Sequence, residues 1–196
     1  MRATRFAPLL AVGLAAAASL SLPGGATAAP QFADADSATV TPGVQTYTNG
    51  GQCTANFVFT DGTRTFLGQS AHCAGLGEAT DTDGCLAGSL PLGTEVEVLG
   101  ASKPGRLAYS SWLAMQAAGE TDADTCAYND FALVELAPED VARTNPSVPV
   151  FGGPVAVAPS TAAGDQVYSY GNSSLRAGLA ALSPKAGLSL GDSGGG

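Results

Sequence analysis

Polar and apolar residues alternate along much of this chain, and the alternation is interrupted by glycine, proline and aspartate. Residues 94–99, Thr-Glu-Val-Glu-Val-Leu, alternate in the period of two expected of a half-buried β-strand. Residues 53–60 and 63–69 form two β-prone runs separated by Asp61-Gly62, a pair that tolerates the positive φ values of a tight turn, so they predict a hairpin. Residues 105–112, 164–171 and 175–182 read as further strands, and residues 131–136 as an apolar strand headed by Asp130. Helical spacing is confined to a turn at residues 115–118. The polar, Gly/Pro/Thr-rich residues 29–51 read as an exposed lead-in, and residues 138–154, with four prolines, as a linker between two halves.

The N-terminus follows a different pattern. Arg2 and Arg5 precede an apolar run from Leu9 to Leu22, followed by Pro23-Gly24-Gly25 and small residues up to Ala29. This is the layout of a secretory signal peptide, cut after Ala28. The run is shorter than the roughly 20 apolar residues a bilayer span needs, so the expectation is a secreted, extracellular protein with no membrane attachment after cleavage. Eight basic residues face seventeen acidic ones; removing Arg2 and Arg5 leaves six against seventeen, a charge of −11 from residue 29 onward. Such a surface argues against nucleic-acid binding. Gly is abundant and charged residues are few, which suits a β-rich globular domain better than disorder.

Cys53, Cys73, Cys85 and Cys126 make an even count in an exported chain, which implies two disulfides. A Cys53–Cys73 bond would close the base of the first hairpin and leave Cys85 to Cys126. Their isolated spacings and the single histidine, His72, argue against a zinc site. His72 is also the one side chain whose ordinary pKa suits proton exchange near neutrality. Asp130 is either a turn former or a carboxylate aimed at a partner.

Three short motifs give these residues a shared context: Ala71-His72-Cys73, Asn129-Asp130 leading into residues 131–136, and Gly191-Asp192-Ser193-Gly194-Gly195. In this order they resemble the histidine, aspartate and serine motifs of the trypsin/chymotrypsin-like serine proteases of bacterial secreted type, with Cys53 placed like the disulfide partner of the cysteine beside the histidine. The resemblance implies an all-β, two-barrel fold. Residues 52–137 would form the first barrel half, and residues 155–196 part of a second. It implies a serine endopeptidase in which His72 is the general base, Asp130 its orienter and Ser193 the nucleophile, with the amides of Gly191 and Ser193 as oxyanion hole. The substrate would be a protein or peptide, the enzyme a monomer, and neither metal nor organic cofactor would be required.

The resemblance also implies more chain than is present. Two strand candidates stand between the Asp130 segment and Ser193 where the family has three, and the strands that would follow the serine are missing, so the reading is of a C-terminally truncated form of doubtful activity. Ser193 is therefore either the nucleophile or part of a glycine-rich loop, the catalytic serine then lying beyond Gly196. The alternative function is a non-catalytic secreted binding domain on a protease-like fold.

Overall fold

A computed structural model describes residues 29–77, 82–176 and 179–191. The signal-peptide assignment and Ser193 lie outside these described residues. Among the described residues nine strands form two sheets. The larger is built from β1 (Gln45–Thr48), β2 (Gly51–Thr54), β3 (Val58–Thr60), β4 (Thr65–Gln69), β5 (Glu95–Val98), β6 (Gly105–Ser110) and β7 (Ala132–Glu135), in the spatial order β2-β1-β5-β6-β7-β4-β3. It is a curved, open half-barrel. The smaller sheet is a two-stranded ribbon of β8 (Ala163–Tyr170) and β9 (Pro184–Leu190). Among the described residues three α-helices accompany them: α1 (Ser111–Ala118), α2 (Ala123–Tyr128) and α3 (Pro138–Val141).

This arrangement corrects the expected fold. The chain is a mixed α/β domain with one open half-barrel, not the all-β pair of barrels implied by the protease resemblance, and the ribbon is too small to be a second barrel. The three motifs are local, each only a few residues long, whereas barrel closure depends on strands supplied by the rest of the chain.

The core lies against one face of the half-barrel. Leu67, Val96, Leu107, Val134 and Trp112 are all nearly inaccessible to solvent, and Val40, Ala71 and Met115 pack with them. Strand β5 shows the expected alternation, with Val96 and Val98 buried between exposed Glu95 and Glu97. The hairpin forms with a wider turn than the Asp-Gly pair suggests. The side chain of Asp61 accepts the N–H groups of Thr63 and Arg64, and Gly62 takes the positive φ the turn requires.

Other elements depart from their sequence readings. The supposed lead-in supplies β1 and the fully buried Val40; its strand was hidden because the side chains β1 buries are those of Thr46 and Thr48. Residues 105–112 do not stay extended: the chain turns at Ser110 into α1, whose Leu, Ala, Met and Gln residues favour helix and whose Trp112 and Met115 face the core. Gly119 ends α1 in the left-handed conformation, its N–H returning to the carbonyls of Met115 and Gln116. Residues 138–154 begin with α3 rather than running as a free linker. The described part of residues 175–182 forms short 3-10 turns, and the second strand of the ribbon is Pro184–Leu190.

Candidate functional site

Strand β4 ends at Gln69, and a 3-10 turn at Ala71–Ala74 follows, carrying His72 outward between buried Ala71 and Cys73. Strand β7 pairs with β4 antiparallel, Gln69 opposite Ala132, so the residue two places before β7 arrives beside the residue three places after β4. Asp130 and His72 therefore meet. The Asp130 carboxylate receives the His72 ring at Nδ1···Oδ2 2.6 Å and accepts the His72 main-chain N–H on Oδ1 at 2.8 Å. Two anchor points on one residue fix both the ring and the backbone that carries it.

The pair is half-exposed, with side-chain exposures of 43% for His72 and 31% for Asp130. Its electrostatics follow from that placement. The hydrogen bond to Asp130 raises the His72 pKa above its ordinary 6.5, and this with the carboxylate's charge outweighs burial, which opposes protonation. Burial alone would raise the Asp130 pKa, but the hydrogen bonds from the His72 ring and N–H outweigh it, and Asp130 is held below its ordinary 3.8. With Nδ1 committed to the carboxylate, the other ring nitrogen, Nε2, is the one left to face outward chemistry. It is an acceptor in the neutral ring and a donor in the charged one.

Supports come from residues the sequence reading passed over. Ser111, wholly buried at the start of α1, donates its hydroxyl to the Asn129 carbonyl at 2.7 Å and accepts the Phe131 N–H at 2.9 Å. It grips the chain on both sides of Asp130. A serine at a helix start reads from sequence as a cap, and nothing local reveals a partner 18 residues on. The two disulfides brace the same region: Cys53–Cys73 ties β2 to the residue after His72, and Cys85–Cys126 anchors α2, which leads into Asp130. The residue after Asp130, Phe131, belongs to an aromatic cluster. The Phe131 ring meets Phe59 edge-on with centroids 5.5 Å apart and Tyr109 at 6.3 Å, and Phe59 and Tyr109 remain a little over a third exposed.

The remaining catalytic expectations are not met. Among the described residues no serine hydroxyl is hydrogen-bonded to His72, and no Ser-His-Asp triad is identifiable. Ser193 lies outside the described residues. Gly191, expected to offer an oxyanion-hole amide, ends β9 with φ +88° and donates its N–H to the Ser189 hydroxyl at 3.0 Å. Together with the fold, these findings withdraw the serine endopeptidase reading, its hydrolase assignment and the protease-like binding domain offered as its alternative. Two clusters have the outline of metal sites, Cys53 with His72 and Cys73, and Asp83 with Cys85 and Cys126. All four of their sulfurs are tied in disulfides and provide no thiolate, so neither set suits an ion. Among the described residues no helix is long and apolar enough to cross a membrane. No protein-family model matches the chain, and no curated protein matches it.

Proposed function

We propose that this chain is a secreted, non-enzymatic recognition module that holds an extended, apolar protein segment or peptide against the Phe59–Phe131–Tyr109 surface, with His72 as the polar contact that fixes its register. The observation that carries this reading is the His72–Asp130 pair: a half-exposed imidazole, held with its backbone by one carboxylate whose chain neighbour, Phe131, packs with the partly exposed rings of Phe59 and Tyr109. Rings offer large contact area at low entropic cost, and one oriented polar group supplies specificity.

The partner's chemistry follows from charge. Charged His72 and Asp130 together are neutral, while the chain is strongly acidic. An acidic ligand gains little from the pair and is repelled by the surface, whereas a backbone carbonyl accepts the Nε2 proton without penalty. Binding is therefore strongest where His72 is protonated.

The test is selection of peptides from a random display library against the full chain at pH 5.5, followed by affinity measurements at pH 5.5 and 8.5. The expected result is apolar, acid-poor peptides that bind about tenfold more weakly at the higher pH or to His72→Ala, the worth of one hydrogen bond to a charged donor. Selection of no peptide, or of peptides indifferent to His72→Ala and to Phe59→Ala, overturns the reading.

A further inference from the structure

The side chains that point into the half-barrel lie in layers, and the layer at the His72 end differs from the one beneath it. Strands β1, β6 and β4 run in the same sense, each separated from the next by an antiparallel neighbour, β5 or β7. Their last residues, Thr48, Ser110 and Gln69, therefore lie at one end of the sheet. Ala132, at the start of β7, stands opposite Gln69 on one side and Ser110 on the other, and all four residues are buried. The next row inward on the same face is Leu67, Val134 and Leu107, which fills the interior with branched apolar side chains. The end layer instead sets a single methyl group, that of Ala132, between two polar residues.

The polar atoms of this layer are not paired off within the protein. Thr46 donates its hydroxyl to Gln69 Oε1 at 2.7 Å, which orients the amide and leaves Nε2 without an acceptor among the described residues. Reversing the amide moves the deficit to the oxygen without removing it. Ser110 Oγ and Thr48 Oγ1 are likewise buried with no partner among the described residues. One further atom is in this condition, Trp112 Nε1, and it lies elsewhere, against Gly84. Buried polar groups are costly unless something meets them, and three of the four gather at one end of one sheet.

We propose that this end layer is a binding site for internal water, held by Gln69 Nε2, Ser110 Oγ and Thr48 Oγ1. Chemistry selects the occupant. The amide nitrogen only donates, so the ligand has to accept; the two hydroxyls donate or accept, so a ligand that also donates satisfies more of the site. An anion would be a buried charge without a counter-ion in a chain whose formal net charge is −9, and a cation would face the amide N–H. Water is neutral, does both, and makes about three hydrogen bonds in sites of this kind. Its place in the fold gives it a role. Gln69 stands three residues before His72, Ala132 two after Asp130, and Ser110 directly before Ser111, which grips the chain around Asp130. Water in this layer joins the strand ends on which the His72–Asp130 pair is built. It is independent of whether the aromatic cluster holds a peptide.

The test is oxygen-17 magnetic relaxation dispersion on the full chain with both disulfides formed, which counts waters held inside for longer than the protein tumbles, together with a crystal structure that places them. At least one such water is expected, within about 3.2 Å of the Gln69 amide and of one or both hydroxyls. Ser110→Ala removes one of its partners and Ala132→Val fills the space beside it, so each should lower the count by one or more while the near-ultraviolet circular dichroism stays unchanged. Should a variant fail to fold, the crystal structure of the parent chain decides alone. Protein groups found on Gln69 Nε2 and both hydroxyls, or a dry layer, overturn the proposal, as does a water count that is the same in the parent and in both folded variants.

Discussion

Asp140 is fully buried, and its carboxylate accepts the main-chain N–H of Ser102 at 2.7 Å and that of Lys103 at 3.2 Å. The first turn of the short helix α3 is thereby fastened to the loop between β5 and β6, while Lys103 and Glu139 form an ion pair above it. Replacing Asp140 with Ala removes a buried, charged acceptor shared by the two loop N–H groups, and the expected loss is about 2 kcal/mol. Urea denaturation of Asp140→Ala against the parent chain checks it. A loss no larger than that of Glu139→Ala would show that the carboxylate is dispensable.

The His72–Asp130 pair gives stability a defined pH window. His72 has a raised folded pKa, so its contribution is complete below its ordinary 6.5 and is lost as pH rises through the folded value. Asp130 has a lowered one, so its contribution is complete above its ordinary 3.8 and is lost as pH falls through the folded value. The difference in stability between the parent chain and Asp130→Asn should therefore be greatest between these limits and shrink on either side. Denaturation midpoints measured from pH 3 to 9 give the profile, and a difference flat across that range would contradict it.

Ser111 should act on His72 without touching it. Ser111→Ala removes the buried hydroxyl that spans Asn129 and Phe131, at an expected cost of about 1–2 kcal/mol. The larger signature is spectroscopic. With Asp130 less firmly held, the His72 ring should titrate closer to 6.5 in nuclear magnetic resonance, shifting in the same direction as in Asp130→Asn but by less. A drop in stability with an unmoved His72 titration would mean that Ser111 only packs.

The disulfides should differ in worth by the length of chain they close. Cys53 and Cys73 are 20 residues apart, and Cys85 and Cys126 are 41 apart. Loop-closure entropy gives about 3 kcal/mol for the first and about 4 for the second. Paired serine substitutions followed by denaturation test the order. Loss of the longer bond should also release α2 and with it the approach to Asp130.

What could be read from sequence was what the chain expresses within a few residues. The alternation of residues 94–99 became β5, whereas the meeting of His72 and Asp130, 58 residues apart, was implied only by the protease resemblance, local pattern leaving Asp130 as turn former or partnered carboxylate. The relation of β1 to the sheet was illegible, since its buried threonines look like surface residues. The change from strand to helix at Ser110 turns on tertiary burial of Trp112. Asp140 was passed over because its partners are backbone amides nearly 40 residues away, which no side chain advertises. The protease resemblance failed for the same reason: short motifs say nothing of how many strands surround them.

The strand order has one consequence for how this molecule reaches its final form. Strands β2, β1, β5 and β6 make one block and β4 with β3 another, and β7 is hydrogen-bonded to both β4 and β6. As the chain emerges from the N-terminus, both blocks precede β7, so although Cys53–Cys73 and the Thr46–Gln69 hydrogen bond link them directly, they do not form one continuous sheet until residues 132–135 have appeared. Sheets that depend on such distant pairings close late and slowly. Asp130 travels with β7, so its contact with His72 does not exist in either block alone. The imidazole thus reports assembly: its titration should move away from that of a free histidine only in the last step of folding, when the two blocks become one sheet.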